Sequence, residues 1–215
     1  MSAIRTLIKN ADWIITMDQS RQVLRKADIL IRGDTIEAMG ERLEPDVACD
    51  QTIDARGMVI IPGMVNTHHH CAHTVVRNMP NAYGLPLHSW LGRIYEPLQY
   101  FDEETIFAAI PGALGDLLKT GCTTSVDHHY VFPQQAPHMI DSQIKAAKKL
   151  GILFHIMRGC LSTGAEGGCA HVPPALVEPA DRMVADCVRV IEAYHNRSRG
   201  AMVRVGLAPC WLVYE

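Results

Sequence analysis

Beyond Gly63 the chain changes its hydrophobic period again and again, and that alternation limits the fold more than any other feature. "GMVNTHHH" reads as a strand and its exit, and a helical stretch runs from Asp102, a predicted N-cap, to a stop at Gly121. "CTTSVDHHY" is a second strand. "HMIDSQIKAAKKLG" carries Ile140, Ile144, Ala147 and Leu150 on one helical face and stops at Gly151, and "ILFHIMRG" is a third strand. "PADRMVADCVRVIEAYH", with Pro179 by its first turn, is another helix, and "MVRVGLAPC" is a fourth strand. Pro111 inside the first helix should kink or shorten it. Repeated βα units imply parallel strands with helices packed outside, hence an α/β protein: a doubly wound sheet or a (β/α)8 barrel. A barrel needs about 250 residues, and 153 follow Pro62. The barrel reading therefore expects this chain to be part of a longer one.

Residues 4–61 are different. "TLIKNADWIITM", "ADILIRGDTIEAMG" and "TIDARGMVIIPG" are strand-like runs separated by turn signals. The middle run is a hairpin, with Ile29 and Ile31 alternating against polar neighbours and Gly33-Asp34 as its turn. This is a small β module.

Composition excludes several classes. A chain that is 48% hydrophobic and 20% charged can bury a core, so disorder is not expected. A formal charge of −3, with no lysine or arginine cluster, offers no field for a polyanion, and nucleic acid is excluded as a partner. No apolar run approaches the ~20 residues needed to span a bilayer. The first residues lack the apolar core and cleavage site of a secretory signal, so a cytoplasmic location is expected, without membrane partners. Seven cysteines without a CxxC pair read as reduced thiols.

The chemistry concentrates in "IPGMVNTHHHCAH", where four histidines fall within six positions. On an extended strand His68 and His70 share a face while His69 points away, and two imidazoles so placed suit zinc, iron or another divalent ion. The plain alternative is a histidine-rich surface turn. "TIDARGMVIIPGMVNTHHH" resembles the amidohydrolase superfamily through Pro62, Gly63, Asn66, His68 and His70. "NTHHH", "LLKTGCTTSVDHHYVFP", "FHIMRG" and "GAMVRVGLAPC" look like the branch of 8-oxoguanine deaminases and triazine (hydroxyatrazine hydrolase-like) hydrolases.

That resemblance implies a partial (β/α)8 barrel, about its first four βα units, preceded by a small β-sandwich module. Residues 1–62 would be the N-terminal sandwich strands and residues 63–215 the first half of a metal-dependent hydrolase barrel. It implies one divalent metal ion, zinc or alternatively iron, ligated by His68 and His70. It also implies that metal-activated water removes an amino group from a purine-like ring such as 8-oxoguanine. A histidine on the fifth strand, an aspartate on the eighth and the catalytic proton-transfer residues would all lie beyond Glu215. Two other chemistries fit the same scaffold: triazine-type removal of chloride or an alkylamine, and opening of a cyclic amide. A reading of another class is an inactive, truncated metal-binding fragment.

Further candidates surround this motif. His73, where the resembling deaminases carry glutamine, lies in the loop leaving the first strand, within reach of a small heterocyclic substrate. His128, His129 and Tyr130 sit at the exit of the second strand, where barrel active sites form. Trp90, in "LHSWLGRIYEP", resembles the aromatic residue that this branch places in a loop over its pocket, and Arg158 could anchor ring carbonyls through its planar fork. Each also has a structural alternative, as an exposed loop residue, a cap or a packing contact. The glycine-rich "STGAEGGCAHVPP" would serve as a cover over the site or as a plain connection. The apolar residues Ile152, Phe154, Val203 and Val205 are expected to point into the barrel, and self-association of the chain is expected where partner layers are missing.

Overall fold

The structure is a computed structural model that describes residues 3–46, 48–164 and 171–209. The chain divides into two compact units, residues 1–62 and residues 63–215. In the first unit, β1 (Arg5–Ile15), β2 (Val23–Arg32), β3 (Thr35–Gly40), β4 (Gln51–Asp54) and β5 (Val59–Ile60) form one sheet of order β3-β2-β1-β4, with β5 also on β1. The β2–β3 hairpin pairs Arg32 with Thr35, so Gly33-Asp34 is a two-residue turn, as its sequence requires. A register shift between Ile8 and Ala11 bulges β1 around Asn10, whose N–H donates to buried Asp28 at 2.8 Å. Ala11, Ile14, Ala27, Ile29 and Ala55 form the small core.

The second unit holds β6 (Met64–His69), α1 (Leu87–Leu98), α2 (Glu103–Lys119), β7 (Cys122–His129), α3 (Met139–Leu150), β8 (Leu153–Arg158), α4 (Ala180–Tyr194) and β9 (Val203–Leu207). The four strands pair in parallel in the order β6-β7-β8-β9, with helices packed on one face. Asp102 caps α2 by accepting the Thr105 N–H at 2.7 Å, and Gly151 ends α3 in the left-handed conformation. Pro111 does not shorten α2, which runs unbroken across it.

Two expectations are corrected here. The segment around Trp90 is not a loop but α1, which buries Leu91, Ile94, Tyr95 and Leu98 at the spacing of one helical face. Ile152, Phe154, Val203 and Val205 are not stranded on an open inner face, because all four are buried in the main core with the helices. On β8 the other face, Leu153, His155 and Met157, is the half-open one. Each face of that strand carries two apolar residues and one polar one, so hydrophobicity alone could not fix which one turns outward. Residues 165–170 of the glycine-rich stretch lie outside the described residues, as do Cys210 and the five residues after it.

Candidate functional site

The site forms where β6 and β7 end. Gly63, just before β6, lies so close to β7 that a Cβ there would fall 2.2 Å from Thr123 Oγ1, which leaves only glycine room. A register shift follows between Asn66 and His69, and Asn66 Oδ1 accepts the His68 N–H at 3.3 Å. Bulges of this kind re-aim side chains beside active sites. Here His68 and His70 come together while His69 turns to Cys71, with Nδ1 3.2 Å from Sγ.

The His68 and His70 rings meet edge to face, their Nε2 atoms 3.1 Å apart. His70 Nδ1 lies 2.7 Å from the His128 carbonyl, which can only accept, so Nδ1 carries the proton and Nε2 keeps its lone pair. Burial pushes the His70 pKa down to about 4, so the ring is neutral at physiological pH. A neutral imidazole with its free lone pair turned to a second imidazole is the donor set a divalent ion takes, and the Nδ1–carbonyl bond is the outer partner such ligands commonly have. His68 and His70 fit a metal by that test.

Beside this pair is a cavity of about 300 Å³ lined by His70, His73, Leu87, Trp90, Leu91, His128, Tyr130 and Pro209. His73 stacks on His70 with centroids 4.8 Å apart, meets Trp90 edge-on, and shares a 3.2 Å hydrogen bond with the Tyr130 hydroxyl. Burial pushes His73 down to about 3. The His128 Nε2–H donates to the Ala208 carbonyl at 3.0 Å. Gly159 allows that contact, since a Cβ there would lie 2.8 Å from His128 Nε2 and 2.7 Å from Tyr130 Cβ. The result is a largely aromatic slot with a few polar groups, the common character of small-molecule sites.

Two predicted residues are not brought to this slot. His129 is buried on the helix side of β7, where Nδ1 accepts from Gln143 of α3 at 3.1 Å. Burial, with Arg158 nearby, pushes His129 down to about 3. Arg158 is 1% exposed and faces α4: its guanidinium donates to both Glu178 carboxylate oxygens at 2.7 and 2.6 Å, to Asp186 at 3.1 Å, and lies over the Phe132 ring at 3.7 Å. Its fork is occupied within the protein, so it is no substrate anchor.

Sequence reasoning missed Asp127 as a structural partner. It accepts the Cys71 N–H at 2.7 Å and a Gln143 amide N–H at 3.0 Å, and full burial pushes its pKa up to about 7. Its odd position between the two inner-face residues Val126 and His128 was the available signal.

The amidohydrolase family pattern matches residues 59–211. This chain belongs to the amidohydrolase family. It is 37% identical to an 8-oxoguanine deaminase of Pseudomonas aeruginosa over 83% of this chain and 39% of that one. It is 33% identical to a hydroxydechloroatrazine ethylaminohydrolase of Pseudomonas sp. strain ADP, over 95% of this chain and 44% of the other. The crystal structure of an atrazine chlorohydrolase from Arthrobacter aurescens TC1 complexed with zinc superposes with a TM-score of 0.89 at 34% identity, covering 98% of this chain and 48% of that one. The chain thus spans less than half the length of these relatives. Its fold is a partial (β/α)8 barrel, four consecutive parallel strands with the helices that connect them, preceded by a small β module. Among the described residues no helix is long and apolar enough to cross a membrane.

Proposed function

We propose that this chain is the N-terminal part of a metal-dependent aminohydrolase that releases ammonia from a flat, purine-like heterocycle such as 8-oxoguanine. Residues 1–62 would supply strands of the N-terminal sandwich and residues 63–215 the first half of the catalytic barrel. The convergence of His68 and His70 Nε2 atoms, 3.1 Å apart beside the aromatic slot, is the observation that carries this reading. Those two residues would hold one divalent ion, zinc by analogy with the chlorohydrolase structure, together with ligands from elsewhere. Such an ion, when bound, lowers the pKa of its water to about 7 and so makes hydroxide available at neutral pH.

The remaining roles fall to the slot. Trp90 and His73 border the space a planar ring would fill, and the Tyr130 hydroxyl, hydrogen-bonded to His73 Nε2, keeps a further hydrogen bond for the ring's edge. His128, tied to the Ala208 carbonyl, is part of the same lining. A preference for a free base over a nucleoside belongs to the same proposal, as does a cytoplasmic location.

The test is a complete barrel carrying these residues, purified with its metal. It should release ammonia from 8-oxoguanine faster than from adenosine or cytosine, and His68→Ala or His70→Ala should lose both metal and turnover. Release of chloride or ethylamine from a triazine in preference to ammonia from the oxopurine would transfer the assignment to the triazine-hydrolase chemistry. Unchanged metal content in both variants would remove the ligand assignment itself.

A further inference from the structure

Where β6 ends, His68 and His70 come together on one side while His69 and Cys71 come together on the other, which makes two interleaved ligand pairs, His-x-His and His-x-Cys. Opposite the second pair stands Asp127, the β7 residue in register with His69. We propose that His69 Nδ1, Cys71 Sγ and the Asp127 carboxylate form a second divalent-metal site, on the helix-facing side of the β6–β7 pair, distinct from the His68–His70 centre.

Three observations carry it. One ligand atom from each residue lies within 4.8 Å of the other two. For tetrahedral zinc, Zn–S and Zn–N bonds of about 2.3 and 2.0 Å place those two ligand atoms about 3.6 Å apart. The present 3.2 Å between Cys71 Sγ and His69 Nδ1 needs only a few tenths of an ångström of opening. Cys71 and Asp127 are fully buried, whereas His69 is only half-buried, so the site has a closed back and a side by which an ion can enter.

Finally, the carboxylate is fixed in position: one oxygen accepts the Cys71 N–H and the other a Gln143 amide N–H, as outer partners fix ligating carboxylates elsewhere. Nitrogen, sulfur and oxygen donors together suit zinc or cobalt(II) rather than magnesium or calcium. On binding, the Cys71 thiol releases its proton to solvent as the sulfur–metal bond forms, and thiolate and carboxylate balance the dication. The inference does not depend on the deaminase assignment, because it uses neither His68 nor His70.

Cobalt(II) separates the two centres, since only a thiolate ligand gives sulfur-to-cobalt charge-transfer absorption in the near ultraviolet. The 215-residue chain, stripped with a chelator and titrated with cobalt, should develop that band. The His68→Ala/His70→Ala double variant should retain it and saturate at one cobalt per chain, and Cys71→Ser should abolish it with the far-ultraviolet dichroism unchanged. Asp127→Asn should raise the cobalt dissociation constant at least ~10-fold while leaving the band visible at saturation, and this variant decides the matter should Cys71→Ser not fold. Absence of the band in the parent chain, its survival in Cys71→Ser, its loss in the double histidine variant, or unchanged affinity in Asp127→Asn would each overturn the site.

Discussion

Replacing Arg158 by methionine should destabilise the protein severely, for reasons unrelated to substrate. The side chain is fully buried and bidentate on Glu178, itself only 6% exposed. Methionine keeps much of the volume and the contact with Phe132 but leaves the Glu178 carboxylate buried without its cation. Asp186 is less affected, because Arg189 still bonds it at 2.7 Å. Breaking a buried pair by removing one partner costs about 3–5 kcal/mol. With one carboxylate orphaned we expect about 4 kcal/mol, a fall on the order of 10³ in the folding equilibrium constant.

Glu178→Leu in the same chain removes the orphaned charge, so the Arg158→Met/Glu178→Leu double variant should regain most of the loss. Urea unfolding followed by far-ultraviolet dichroism and tryptophan fluorescence measures all three proteins. A single variant within about 1 kcal/mol of the parent, or a double variant no better than the single, would refute the reasoning. Undiminished stability with weakened heterocycle binding would return Arg158 to the pocket.

Two further expectations concern pH and assembly. Because the folded pKa of His129 is depressed from 6.5 to about 3, its contribution to stability is full above pH 6.5 and is lost as pH falls toward 3. Asp127, raised to about 7, acts in the opposite sense between pH 3.8 and 7, so the His129 share is read as parent minus His129→Asn: about 2 kcal/mol of acid sensitivity between pH 7 and 5 should vanish in the variant. Equal pH slopes in parallel urea titrations would contradict this. A polypeptide of these 215 residues presents the outer edges of β6 and β9 unpaired among the described residues, so it should elute from size exclusion above its monomer mass; a monodisperse monomer at tens of micromolar would count against that.

Much of this architecture could be read from residue patterns. Period changes located all four parallel strands, and caps such as Asp102 and Gly151 located helix ends, because both are local chemistry. The pair His68 and His70 was legible for the same reason. α1 was legible too, since Leu91, Ile94, Tyr95 and Leu98 repeat at helical spacing, but Pro97 and the lack of a capping side chain obscured it. Strand parity was harder. "DHHY" offers two adjacent histidines with equal claims, and only packing against Gln143 shows that His129 faces the helices while His128 faces the slot. Likewise, Arg158 reads as a pocket arginine until Glu178, twenty residues on, is folded back onto it. The bulge at Asn66 leaves no mark in a single sequence, because it is set by pairing with β7.

The proton on His70 Nδ1 is held in place by the main-chain carbonyl of His128. No side-chain substitution at position 128 deletes that acceptor, so an alanine scan across "DHHY" would report on the slot and remain blind to what orients the ligand. The arrangement is also insulated from sequence drift: neighbours can change identity freely so long as β6 and β7 keep their register. What would expose it is chemistry on the backbone. An ester in place of the His128–His129 amide leaves every side chain intact but weakens that carbonyl as an acceptor, and should loosen the imidazole's grip on its tautomer.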